Sequence, residues 1–202
     1  RYPFPGNDFS SYLISAQGSG ADAIAFASAG ADLQNEIKQA NEFGLAKKHK
    51  LVAMLMSISD VHGVGLAAAQ GMNFAESFYW NMDDETRKFA RRFFKEFGKM
   101  PTALQAGQYS AVLNYLRAVE KSGSDDVADV MKTLRSMPIQ DAFARNASLR
   151  ADGKLIHDMY LVSVKSPSES KEPWDYYNIV KTVPGDQAFN PLSESACPLV
   201  KK

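Results

Sequence analysis

The chain has 202 residues, 45% hydrophobic and 23% charged, an ordinary globular composition that suits one domain or two small lobes. Lys plus Arg equals Asp plus Glu at 23 each, so counterion-release binding to nucleic acid or anionic lipid is not expected. No apolar run approaches the roughly 18–20 residues that span a bilayer, and a first residue of Arg1 predicts a processed or truncated longer chain.

The first hundred residues alternate between helical and strand periods. Phe9, Tyr12, Leu13 and Ala16 share one helical face from Asp8 onward, with Asp8 as the predicted N-cap, and Gly18 and Gly20 end that helix. Asp22–Ser28 (DAIAFAS) reads as a strand buried on both faces. Asp32–Gly44 reads as a helix with Leu33, Ile37 and Ala40 on one stripe and a glycine at its end. Lys50–Met56 is a second strand, His62–Gln70 a short helix, and Met72–Trp80 a third strand. Glu85–Phe97 is a strongly amphipathic helix with Phe89, Phe93 and Phe97 four residues apart. Such alternation predicts an α/β fold, a doubly wound parallel sheet whose ligands bind beyond the carboxyl ends of the strands.

The pattern changes after Pro101. Helices are expected over Leu104–Glu120 and Asp125–Met137, then a hairpin over Leu149–Val164 turning at Asp152 and Gly153, then a polar loop over Ser166–Pro173. Helices and a hairpin without parallel strands of their own predict an incomplete lobe.

Catalytic motifs are sparse. The histidines His49, His62 and His157 are far apart, and neither HExxH nor GxSxG occurs. Ser59 and His62 form a conceivable serine–base pair, although a Ser–Asp–His cluster at a helix start more often serves capping. A single cysteine, Cys197, builds neither a zinc site nor an internal disulfide, and it stands as either an inert tail thiol or a partner for a cysteine elsewhere in a longer chain. No metal and no cofactor is expected. Asn146–Ala147–Ser148 matches the glycosylation sequon, a motif short enough to arise by chance.

Binding residues are easier to nominate. Asp32 and Asp60 each follow a strand and open a helix, where a carboxylate either caps the helix or meets a ligand. Ser28, Ala29 and Gly30, and likewise Ser57 and Ser59, bring hydroxyls and free backbone N–H groups suited to a small anion at a helix N-terminus. Phe74, Glu76, Phe78 and Trp80 fall on one face of their strand and Ser77 and Tyr79 on the other. Tyr79 and Trp80, at its end, are either core or a pocket wall.

The run DFSSYLISAQGSGADAIAFASAGADLQNEIKQANEFGL, Asp8 to Leu45, resembles the start of the second lobe in solute-binding proteins of the branched-chain amino-acid (Leu/Ile/Val) ABC-transporter type. The likeness continues through QGMNFAESFYW, DDETRKFARRFFKEFGKMPT, QAGQYSAVLNYLRAVEKSGSDD and DGKLIHDMYLVSVK, and the ordered series carries it. The resemblance implies a type I periplasmic binding protein, bilobal, with no reaction to catalyse. Such a protein closes on a small ligand and delivers it to the membrane subunits of an ABC permease.

By the same resemblance, residues 1–100 form the second ligand-binding lobe, 102–165 return to the first lobe, and 166–202 pack back on the second. The N-terminal part of the same protein is then the missing partner, and the apolar faces of the helices after Leu104 are expected to be bare without it. The implied ligand contacts are the loops at 27–32 and 57–60, with Trp80 and Tyr109 added near the crossovers. Ala29, Gly30 and Ser57 replace the bulky or acidic groups that receive an α-amino group in amino-acid binders, which opens the site to a larger or aromatic carboxylate. A ligand-sensing regulatory module of the same fold is the alternative expectation, and a hydrolase built on Ser59 and His62 is the third.

Overall fold

The computed structural model describes residues 2–145, 147–198 and 200, so Asn146 of the sequon lies outside the described residues. The chain divides into two compact units, residues 2–76 with 161–181, and residues 77–160 with 182–200.

The first unit is α/β. Its elements are α1 (Ser10–Gln17), β1 (Ala23–Phe26), α2 (Gly30–Glu42), β2 (Lys50–Ala53), α3 (Ile58–Val64), α4 (Leu66–Ala69) and β3 (Asn73–Glu76). They are joined by the strands β6 (Met159–Val164) and β7 (Tyr177–Val183), which complete a five-stranded sheet of order β1-β2-β3-β6-β7. Strands β1, β2 and β3 are parallel neighbours, with Ala23 opposite Lys50 and Phe26 opposite Ala53. The α/β architecture read from the alternation is present, and its sheet is mixed because two strands from late in the chain close the far side. Leu33, Ile37 and Ala40 of α2 are fully buried, as their stripe predicts, with Leu13, Phe26, Leu51 and Val61 also in this core.

Several predicted bounds shift for physical reasons. Strand β1 is not buried on both faces: Ile24 and Phe26 are buried while Ala23 and Ala25 are exposed, so only one face of this edge strand is covered by the core. Strand β2 stops at Ala53 instead of Met56, since the chain bends and leaves Met54 and Leu55 in solvent. The helix expected over His62–Gln70 starts earlier, at Ile58, where Ser57 and Asp60 make a capping box. It is also cut in two by Gly65, whose φ of 87° no other residue adopts comfortably. Asp8 is not the N-cap of α1. Phe9 takes that position, and the Asp8 carboxylate instead accepts the Ser10 N–H at 2.9 Å.

The second unit holds α5 (Asp84–Phe97), α6 (Ala103–Ser122), α7 (Val127–Ser136), the strand pair β4 (Ser148–Leu149) and β5 (Leu155–Ile156), and α8 (Gly185–Ala188). Side chains cap its three long helices: Asp83 with Thr86 at α5, Thr102 with Gln105 at α6, and Asp126 at α7. Ala118, Val130 and Met137 form one apolar cluster, and Ile139, Ala144 and Ala147 another. The predicted hairpin is real but short, with Ser148 opposite Ile156, and β6 leaves it for the sheet of the first unit. Strand β7 was not predicted, because most of its residues are exposed and no alternation marks them.

Candidate functional site

The carboxyl ends of β1 and β2 open onto a cavity of about 720 Å³ within the first unit. Its walls are Tyr2, Phe4 and Pro5 from the N-terminal arm, residues 27–32, and Met54 and Leu55. This is the crevice position favoured by open parallel sheets, and the volume suits a small organic molecule. Of the nominated binding residues, the structure gathers Ser28, Ala29, Gly30 and Asp32 here.

Helix α2 begins at this cavity and lacks a side-chain cap. Its N-cap is Ala29, which has no oxygen to offer, whereas α3, α5, α6 and α7 are all capped by side chains. The first-turn N–H groups of a 13-residue helix and the positive end of its dipole are therefore left to whatever enters. Gly30 has a φ of 58°, and nothing stands within 4 Å of where its Cβ would be, so the backbone is bare toward open space.

Behind this opening lies an acidic cluster that the residue pattern did not single out. Asp32 and Glu36, one turn apart on α2, flank the buried stripe of Leu33, Ile37 and Ala40 and are only 5% and 6% exposed. Ser28 Oγ donates to Glu36 Oε2, and the Tyr2 hydroxyl faces both carboxylates. Burial pushes the Glu36 carboxyl above its ordinary range, a rise that the Ser28 and Tyr2 hydroxyls oppose and the Asp32 charge assists. The signal available in the sequence was an acid four residues after Asp32 on the apolar side of the helix.

The same helix holds the N-terminal arm. Asp32 Oδ2 accepts the Gly6 N–H at 3.1 Å, Gln39 Oε1 accepts the Phe9 N–H at 2.8 Å, and Gln39 Nε2 donates to the Asn7 carbonyl at 3.0 Å. The Tyr2 ring meets Phe9 edge-on, with centroids 4.8 Å apart. A second cavity of about 530 Å³ runs beneath the arm, between α1 and β1, with Tyr2, Phe4 and Glu36 in its wall.

The other nominated residues are engaged elsewhere. Asp60 Oδ2 accepts both the Ser57 N–H (2.9 Å) and the Ser57 hydroxyl (2.7 Å), and Asp60 Oδ1 accepts from Gln34 Nε2 at 3.1 Å. Ser59 Oγ lies 2.8 Å from Ser57 Oγ. Ser57 and Asp60 form the cap of α3, and none of the three residues is in the cavity lining. The His62 ring stacks on Trp174 at 4.0 Å, and its Nδ1 is 2.8 Å from the Tyr176 hydroxyl, which commits it to an aromatic stack. Trp80 and Tyr109 belong to the second unit. Trp80 is buried beside Tyr79, while Tyr109 packs on Phe89 at 4.8 Å with the Arg92 guanidinium 5.5 Å from its ring centroid. Cys197 is a free thiol in this chain. Among the described residues no group of three or more His, Cys, Asp and Glu side chains is arranged to hold a metal ion, and no helix is long and apolar enough to cross a membrane.

The periplasmic binding protein family model matches residues 1–171, well over half of the chain. The chain belongs to the periplasmic binding protein family. It is similar, at 50% identity and a TM-score of 0.92, to a periplasmic binding protein from Burkholderia mallei, with all of this chain covered and 53% of that one. It is also 50% identical (TM-score 0.91) to a branched-chain amino-acid ABC transporter periplasmic ligand-binding protein from Burkholderia xenovorans LB400, covering 98% of this chain and 54% of that one. A solute-binding protein from R. palustris, solved with 4-hydroxybenzoate, shares the fold at 20% identity and a TM-score of 0.75, covering 91% of this chain and 51% of that one. No curated protein matches. The chain thus spans about half the length of the solved relatives. The family is one of binding proteins, not enzymes, and periplasmic binding proteins of the branched-chain amino-acid ABC-transporter type are among the relatives.

Proposed function

We propose that this chain supplies one ligand-binding lobe of an extracytoplasmic solute-binding protein of an ABC importer, and that the cavity at the ends of β1 and β2 receives a small carboxylate. The observation that carries the reading is the uncapped N-terminus of α2 opening onto that cavity. A carboxylate there accepts the free first-turn N–H groups and meets the favourable end of the helix dipole. The lining holds no Lys or Arg, so the backbone is the anion's principal partner. The arrangement retains and releases a solute without a chemical step.

The remainder of the protein, in this proposal, is the other lobe. Helix α6 exposes Leu104, Val112, Tyr115 and Leu116, with Leu104 81% exposed, and about half the length of each relative lies outside the matched region. That apolar stripe is the surface on which the N-terminal part of the same protein packs. Residues 102–165 belong to that lobe in the complete molecule, while 1–100 and 166–202 supply the second. The protein works in the periplasm and hands its ligand to the permease subunits.

Titration calorimetry of the full-length protein against a panel of small carboxylates and their primary amides tests the site. A carboxylate is expected to bind at least tenfold more tightly than its amide, about 1.4 kcal/mol. Equal affinity for acid and amide refutes anion capture at α2.

A further inference from the structure

Phe4, Met54 and Leu55 are 84%, 69% and 67% exposed, and all three border the cavity at the α2 N-terminus. Large apolar side chains this bare, drawn to one concavity from two separate segments, are not scattered surface residues. Phe4 is also held. Tyr2 on one side of it packs edge-on against the Phe9 ring, and Gly6 on the other donates its N–H to Asp32. A Cβ on Gly6 would stand 2.8 Å from the Phe9 ring, so the arm lies close against the core at that point. The ring of Phe4 is thereby presented from a fixed backbone.

The acids near the cavity are already satisfied. Asp32, the acid in the lining, is nine-tenths buried and takes the Gly6 N–H. Asp60 is consumed by the cap of α3 and by Gln34. An α-ammonium group entering this cavity finds no exposed carboxylate in the wall, whereas a ring or hydrocarbon finds three apolar side chains.

We infer that Phe4, Met54 and Leu55 form an apolar subsite that grips the aromatic or alicyclic body of a carboxylate lacking an α-amino group, with Phe4 the residue that sets this preference. The inference rests on the carboxylate site proposed above. The carboxylate end sits at α2 and the body lies against Phe4, so the two ends of the ligand are read by different physics: backbone dipoles at one, apolar surface and ring packing at the other.

The full-length protein and its Phe4→Ala and Phe4→Leu variants are titrated with 4-hydroxybenzoate, cyclohexanecarboxylate and L-leucine, with thermal melting of each variant alongside. Wild type is expected to bind one of the two cyclic acids at least tenfold more tightly than L-leucine. Phe4→Ala weakens that binding about tenfold or more, as loss of a ring covered by the bound ligand predicts, with the melting temperature unchanged. Phe4→Leu restores most of the cyclohexanecarboxylate affinity. Unchanged affinity in Phe4→Ala overturns the inference, as does a drop in melting temperature without a change in affinity, which marks Phe4 as a contact to the rest of the protein. Tight binding of L-leucine that is indifferent to Phe4→Ala also overturns it while leaving the solute-binding reading intact. Failure of all three probes to bind removes the carboxylate site and the inference with it.

Discussion

Replacing Asp83 removes two interactions with one change. Its carboxylate caps α5, with Oδ1 accepting the Thr86 N–H at 3.0 Å, while Oδ2 takes a charge-assisted hydrogen bond from Arg145 Nη1. The cap is worth about 1 kcal/mol. The Arg145 bond, first among the causes, holds the Asp83 carboxyl down at about 2 against an ordinary 3.8. At roughly 1.4 kcal/mol per pH unit that difference sets a ceiling of about 2.5 kcal/mol. Both side chains are close to a third exposed (33% and 28%), so solvent screening brings the pair nearer to ~1 kcal/mol. Asp83→Ala is therefore expected to destabilise by about 2 kcal/mol and Asp83→Asn, which keeps an acceptor for the cap, by about half that. The folded carboxyl is the more acidic one, so its contribution is full above the unfolded value near 4. It is lost as pH falls from there through about 2. Denaturant unfolding of wild type, Asp83→Asn, Arg145→Met and the double variant gives the coupling energy. Additivity within about 0.3 kcal/mol, or a wild-type loss between pH 5 and 2 that Asp83→Asn reproduces unchanged, refutes the reasoning.

Glu36→Gln is expected to stabilise the protein at neutral pH, because it keeps the polar contacts to Ser28 and Tyr2 and removes a buried charge. The folded Glu36 carboxyl is the weaker acid, so its favourable contribution is present below the ordinary value of 4.5 and lost as pH rises through the raised one. Melting curves across that range should show a pH dependence in wild type that the variant lacks. Gly185→Ala is expected to cost about 1–3 kcal/mol in a denaturant titration, because its Cβ would stand 2.9–3.0 Å from backbone atoms of His157, which cannot swing aside as a side-chain tip does.

The fold was legible where periodicity and burial agree. The stripe of Leu33, Ile37 and Ala40 and the phenylalanines of α5 marked their helices unambiguously, and the alternation of strand with helix gave the sheet. Strand ends were harder, because Met54, Leu55, Phe78 and Trp80 continue an apolar run after the backbone has left the ladder, and hydrophobicity alone does not mark where hydrogen bonding stops. Strand β7 was invisible because its residues face solvent. The position of the loop at 27–32 on the cavity was readable from its place after a strand. The nominations of Ser57, Ser59 and Asp60 rested on residue type, and type does not tell whether a serine and an aspartate look outward or at each other. Tyr2, Phe4 and Glu36 enter the site through contacts 26 or more residues away in sequence, which no local pattern carries.

The stitching of the N-terminal arm to α2 also has a bearing on the order in which this protein forms. The helix caps join groups two or three residues apart and close as soon as their helices do, whereas the arm is fixed by hydrogen bonds spanning 26, 30 and 32 residues. Those long loops close only after α2 exists to receive them, and the loop-closure entropy falls on a segment with no regular structure of its own to offset it. The cavity wall that carries Phe4 is thus a late product of folding and an early casualty of local opening: the rigid sheet can be intact while that wall is not yet assembled.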